Sequence, residues 1–212
     1  MEAILRYVRD IPREPHDFIT VVVPELMTRA SLFAAVRRRR TFWLKLRFLR
    51  EEQVVVTDVP LVQPTPAPAE DVTASPLIPE RTVALVFVAA ASDPALRAIN
   101  YARSLQATET RAVFFALDPH EVEAIQAEWE ARHVPVELDI VEAPFRDLGP
   151  PILTEVRAVT ARGDSVAAVI VPELVLHRWW QNLFHNQRPL FIKRLLLFEP
   201  NVILSSVPYH LD

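Results

Sequence analysis

The sequence predicts an α/β fold. A doubly wound, five-stranded parallel sheet of Rossmann-like type covers residues 81–212, and a partial copy of the same unit, in the order αβαβ, precedes it over residues 1–62. Three observations predict this. From Thr82 onward, apolar strand-like runs alternate strictly with helical stretches in the order βαβαβαβαβ, and parallel neighbours need such crossover connections. Second, the strand-helix-strand stretch Phe18–Leu61 recurs near the end of the chain at a constant offset of 148, without a gap. The offset aligns Val23-Pro24-Glu25-Leu26 with Val171-Pro172-Glu173-Leu174, Lys45 with Lys193, and Val59-Pro60 with Val207-Pro208. Carried backward, it matches Ile4-Leu5 with Ile152-Leu153 and Val8-Arg9 with Val156-Arg157, so the chain reads as one and a half copies of one unit. Third, residues 63–80 between the copies hold Pro64, Pro66, Pro68, Pro76 and Pro79 and no apolar period, the composition of an extended connector.

Each element has its own signal. Ile4, Leu5, Val8 and Ile11 stand at helical spacing, and Pro12 ends the pattern. Phe18–Val23 is a β-branched run of the buried-strand type, closed by Pro24-Glu25. Residues 27–50 lack Gly and Pro and predict a long helix, continuous or broken near Arg40. Gln53–Val59 is a second buried strand. In the complete unit, the strands are Thr82–Ala90, Arg111–Leu117, Val136–Val141, the run from Val166, and the run Val202–Val207. The helices between them are Asp93–Leu105, with Ser92 or Asp93 as cap and Pro94 in the first turn, Pro119–Arg132, and Arg146–Arg162, whose start Gly149-Pro150-Pro151 is expected to delay. A fourth helix precedes the last strand.

At 212 residues and 50% apolar composition the chain has ample material for a core. No apolar run approaches the roughly 20 residues of a membrane span, and the first residues lack the layout of a signal peptide. The absence of Cys excludes a disulfide framework or thiolate metal site and fits a reducing compartment, so a cytoplasmic location is expected. Residues 1–62 carry 11 Lys/Arg against 8 Asp/Glu, and residues 63–212 carry 12 against 19. Neither part has the strongly basic character of a nucleic-acid binder. Only two glycines, Gly149 and Gly163, occur, so there is no glycine-rich loop to bring backbone against phosphate. Nor is there a Gly-x-Ser-x-Gly, His-Glu-x-x-His or Walker pattern, and an enzyme is not expected.

Five strands with four crossovers resemble the universal stress protein family. The phrases Asn100–Leu105, Pro144–Leu148, Val171–Leu174, Arg178-Trp179-Trp180, Leu183–Gln187 and Val207–Leu211 resemble the cytosolic tails of bacterial permeases of the amino acid-polyamine-organocation superfamily, which includes potassium importers. That resemblance implies a regulatory, ligand-sensing or dimerising module beside a membrane permease, at the inner face of the plasma membrane. The ligands it implies are adenine nucleotides: ATP or AMP, or cyclic di-AMP held between paired domains. ATP-binding stress proteins carry a glycine pattern after the fourth strand. Here the loop is Pro172–His177 and holds none, whereas cyclic di-AMP does not require it.

In an open parallel sheet, ligands sit beyond the carboxyl ends of the strands where strand order reverses. That rule gathers Asp93, Asp118, Glu173, Ser205 and Ser206 around one crevice. Asp93 or Glu173 would there accept from a ribose hydroxyl or an adenine amino group; in the alternative reading both cap helices. His177, Arg178, His185, Asn186, Gln187 and Arg188 supply further polar groups on the helix before the last strand. Two turns separate His177 from His185, about 12 Å, too far to share one metal. The arginines suit phosphate oxygens and Asn186-Gln187 a base edge, or else His-Asn-Gln ends the helix while Trp179 and Trp180 pack on the sheet. Arg37–Arg40, with Lys45, Arg47 and Arg50 among Phe42 and Trp43, forms either a basic surface for anionic lipid or a solvated face over packed aromatics. Finally, the first copy has two strands with open edges and must borrow a partner. Val54, Val56 and Val59 are expected beside Val202, Leu204 and Val207, in the manner of stress-protein dimers paired through the fifth strand, and a homodimer is expected with it.

Overall fold

The computed structural model describes residues 2–27, 43–62, 79–143, 147–161, 163–175 and 187–211, the side chains of residues 25–27, 60–62 and 187–188 excepted. In chain order these form α1 (Glu2–Asp10), β1 (Ile19–Met27), a helical segment over residues 43–48, β2 (Val54–Val62), β3 (Arg81–Val88), α2 (Asp93–Ser104) and β4 (Glu109–Ala116). The remainder are α3 (Pro119–Ala131), β5 (Glu137–Glu142), α4 (Gly149–Thr160), β6 (Ser165–Val175), α5 (Gln187–Leu196) and β7 (Val202–His210). The middle of the helix expected over 27–50, with Arg37–Arg40 and Phe42, the connector over 63–78, and Pro144–Arg146 lie outside the described residues.

All the strands join one sheet in the order β1-β2-β7-β6-β3-β4-β5. Neighbours run parallel except at β2 and β7, which are antiparallel. The α/β expectation holds, but the sheet has seven strands rather than five, because the two strands of the first copy extend it beyond β7.

Two details differ from the sequence reading. Each strand carrying a Val-Pro step runs on past the proline: β1 through Pro24, β2 through Pro60, β6 through Pro172 and β7 through Pro208. Proline lacks a ladder donor and is tolerated where a strand is bonded on one side only. All four prolines meet that condition: β3 leaves β6 at Ile170, the β2–β7 ladder ends at Asp58 and Ser206, and β1 is an edge. The second difference is α4, which starts at Gly149 with Pro150 and Pro151 in its first turn, where a missing N–H costs nothing.

Alternation along the strands divides the core into two layers. Val83, Leu85 and Phe87 meet Ile152, Val156, Ile192 and Leu196 of α4 and α5 on one side. Ala84, Val86 and Val88 meet Ala95, Ala98, Ile99 and Ala102 of α2, with Ile125 and Trp129 of α3, on the other. The alanine spacing in α2 lets that helix lie close to the sheet. In the first copy, Leu5 and Val8 of α1 pack with Phe48, Leu49, Val54 and Val56. Val175 joins this cluster, and it shares a side of β6 with Val169 and Val171, so α1 lies on the same face as α4 and α5. Burying a Val or Leu side chain stabilises by about 1.5–3 kcal/mol, and these layers hold the copies in one sheet.

Candidate functional site

The two copies meet about a local two-fold axis. β1 pairs with β2 from Ile19↔Val54 to Met27↔Val62, and β6 with β7 from Ala167↔Val202 to Val175↔His210. These ladders are the same ladder displaced by 148. β2 meets β7 through Val56↔Ser206, Thr57↔Ser205 and Asp58↔Leu204. Thr57 and Ser205 are themselves 148 apart, and their buried hydroxyls are 2.8 Å from each other. Each copy therefore touches its own equivalent at the centre of the seam.

Other equivalences repeat across the axis. Arg9 holds Glu51 through two nitrogens, with Nε to Oε2 at 2.8 Å; Arg157 holds Glu199 likewise, at 2.9 and 2.6 Å. Gln53 and Asn201, which lead into β2 and β7, are both left-handed, with φ of 63° and 57°. Hydrogen bonding from Arg9 holds the Glu51 carboxyl below its ordinary range; burial opposes this, while Arg13 and His210 reinforce it. His210 closes β7, so the end of the second copy acts on the first, and its Nε2 is buried without a hydrogen-bond partner among the described residues.

Lysines stand at equivalent positions in the two copies. Lys193 of α5 donates to the buried Glu173 of β6 at 2.7 Å. Lys45 pairs with Asp58 of β2, also at 2.7 Å. Ser206 occupies the Asp58 position of the second copy. Ser205 and Ser206 are successive residues of β7 and face opposite sides of the sheet, which divides the single crevice expected from sequence: Ser205 lies in the seam with Thr57, and Ser206 on the side of Glu173. Asp93 opens α2 and accepts from Arg132 at 2.8 Å, and that helix has no side-chain cap; the residues that Glu173 would cap lie outside the described residues. Asp118 caps α3 by accepting from His120 N–H. Of the residues expected along the seam, Val56 and Leu204 lie in the ladder, while Val54, Val59, Val202 and Val207 flank it. The β7 edge at residues 204–206 is filled by β2 of the same chain, in place of a second chain. His177, Arg178, Trp179, Trp180, His185, Asn186 and the side chains of Gln187 and Arg188 lie outside the described residues.

Sequence reasoning missed the groups that bridge the copies on the α2 side. Tyr101 is buried, with its hydroxyl 3.2 Å from Thr20 Oγ1 and its ring edge-on to Phe18 at 5.4 Å. The Arg97 guanidinium lies 5.6 Å from the Phe18 ring centre. A cleft of about 380 Å³ opens beside Phe18, between Ile11–Ile19 and Ser104 at the end of α2. Arg13 and His16 border it. Arg13 Nη1 and Arg97 Nε are buried without hydrogen-bond partners among the described residues. An Arg nitrogen without an acceptor suits an anionic oxygen. No group of three metal-ligating side chains occurs among the described residues.

Residues 1–61 and 80–209 match the family described as the KimA potassium transporter C-terminal domain. The chain belongs to this family. The KimA C-terminal domain match takes in both copies and omits only the connector between them and the final residues. The potassium transporter KimA of Bacillus subtilis (strain 168) is 25% identical over 132 residues, covering 61% of this chain. The match spans 22% of that transporter's length. Among the described residues of this KimA-family chain, no helix is long and apolar enough to cross a membrane.

Proposed function

We propose that this chain is a cytosolic regulatory module of a potassium transporter, and that it senses an adenine nucleotide at the junction of its two copies, cyclic di-AMP before ATP or AMP. The observation that carries this reading is the local two-fold axis at Thr57 and Ser205. A cyclic dinucleotide is itself two-fold symmetric, and a seam between equivalent β-α-β units offers matched surfaces to its two halves. Arg13 borders the cleft between residues 11–19 and the end of α2, and its Nη1, like Nε of Arg97 beside Phe18, is buried without a hydrogen-bond partner among the described residues. The strand order β7-β6-β3-β4-β5 supports reading residues 81–212 as a universal stress protein-like domain and residues 1–62 as its half-copy. The module is non-catalytic in this reading.

The test is thermal unfolding with cyclic di-AMP, ATP, AMP and adenosine. Ligand that binds only the folded chain at about 100 times its Kd stabilises by about 2.7 kcal/mol, so a clear rise in melting temperature is expected with cyclic di-AMP. No shift with any of the nucleotides at millimolar concentration removes the sensing function. A purely structural module is favoured by one observation: Lys45 and Lys193 are already paired with Asp58 and Glu173. That reading expects unchanged melting with every nucleotide.

A further inference from the structure

The local two-fold axis fixes where the helices before β2 and β7 stand. Thr57 and Ser205 are equivalent residues paired directly across antiparallel strands, so the axis between them is perpendicular to the sheet and turns each copy onto the same side of it. Phe48 and Leu49, in and just after the helical segment over residues 43–48, pack with Val54 and Val56 of β2. Ile192 and Leu196 of α5 pack with Val202 and Leu204 of β7. Asp58, two residues beyond Val56, is paired with Leu204, which puts both helices on one face.

We propose that this face is a docking surface for an anionic lipid bilayer. Trp43 and Phe191 are equivalent at the offset of 148, and they are 50% and 43% exposed. Leu190 and Phe198, within and just after α5, are exposed beside Phe191. Arg47, Arg50 and Arg194 are exposed among these apolar groups. Bulky apolar side chains interspersed with Lys/Arg are the composition of a helix that lies in the headgroup region, where aromatic rings settle.

Charge names the occupant. Residues 43–50 and α5 together carry six Lys/Arg and no Asp/Glu, in a chain whose net charge is −4. The carboxylates that follow them, Glu51 and Glu199, are held by Arg9 and Arg157. The opposite face carries α3, with four exposed glutamates and no Lys/Arg. A second copy of this chain, docked through the same face, would set one basic surface against another. An anionic bilayer is complementary to it, and a plane normal to the axis meets both copies alike. Lipid binding at this face and nucleotide binding at the junction are separate properties, and either test can fail without the other.

Co-sedimentation of the full chain with vesicles tests this, using phosphatidylcholine and phosphatidylglycerol in equal parts beside phosphatidylcholine alone. The chain is expected to sediment with the mixed vesicles, to be released as salt rises, and to stay in solution with phosphatidylcholine alone. Arg194→Glu is expected to weaken partition about tenfold, since each Lys/Arg near an anionic leaflet contributes about fivefold and reversal adds repulsion. Trp43→Ser/Phe191→Ser is expected to weaken it more than about tenfold. Arg103→Glu, exposed on α2 of the opposite face, changes the net charge by as much as Arg194→Glu and is expected to leave partition unchanged. Circular dichroism verifies that each variant is folded. Failure of the parent to sediment with the mixed vesicles overturns the proposal, as does equal sedimentation with phosphatidylcholine alone, or equal losses from Arg194→Glu and Arg103→Glu. Light scattering that shows a chain dimer dispersed by Trp43→Ser/Phe191→Ser also overturns it, because a second copy then covers the face.

Discussion

Glu51 and its counterpart Glu199 show how one arginine-carboxylate pair can pin each copy to itself. Each joins the helix before the first strand of its unit to the turn before the second. Glu51 carries a pH signature. Its carboxyl is held low in the folded chain, chiefly by Arg9, so the stability it confers is present above the unfolded value of about 4.3 and is lost as pH falls through the folded value. Glu51→Gln is therefore expected to lower the melting temperature at pH 7, with the gap to the parent closing in acid. A gap independent of pH would assign the loss to packing. The offset of 148 aligned Arg9 with Arg157 in sequence, but not their contacts: Arg9 and Glu51 stand 42 residues apart, and only the placement of α1 over β2 brings them together. The left-handed residues Gln53 and Asn201 were hidden because neither is glycine.

Among the elements, the β2–β7 seam is the decisive one. Thr57→Val leaves the Ser205 hydroxyl buried without its partner, a loss of about 1–3 kcal/mol, whereas the double variant Thr57→Val/Ser205→Ala removes both members and is expected to lose less than the sum of the single changes. Urea unfolding of the parent, singles and double gives the coupling, expected in the range of about 0.5–3 kcal/mol; strict additivity would deny the hydroxyl pair a role. The apolar runs of β2 and β7 were legible, since continuous β-branched stretches mark strands buried on both faces. Their full lengths were not, because a proline ends a strand only where both neighbours demand its donor, and neighbours are a tertiary fact. Likewise the facing of Ser205 and Ser206 depends on register: either serine fits a crevice in the sequence, but alternation sends one into the seam and the other towards Glu173 and Lys193. That ion pair is 20 residues apart in the chain and closes only when α5 crosses back over β6.

At the scale of the whole molecule, strict alternation of elements foretold an α/β sheet. It did not foretell that Val22 of β1 would be exposed where its equivalent in β6, Ile170, is buried. The antiparallel seam also has a consequence for how the protein behaves in dilute solution. When a two-fold site is formed by separate chains, mass action dissolves it as concentration falls. Here the two halves belong to one chain, joined through residues 63–80, so their meeting does not depend on the concentration of the protein. The melting temperature is therefore expected to stay constant over a hundredfold dilution; a fall on dilution would mean that the seam forms between chains. A seam built this way persists at a few copies per cell, and its two halves are free to differ in every residue that the axis does not constrain.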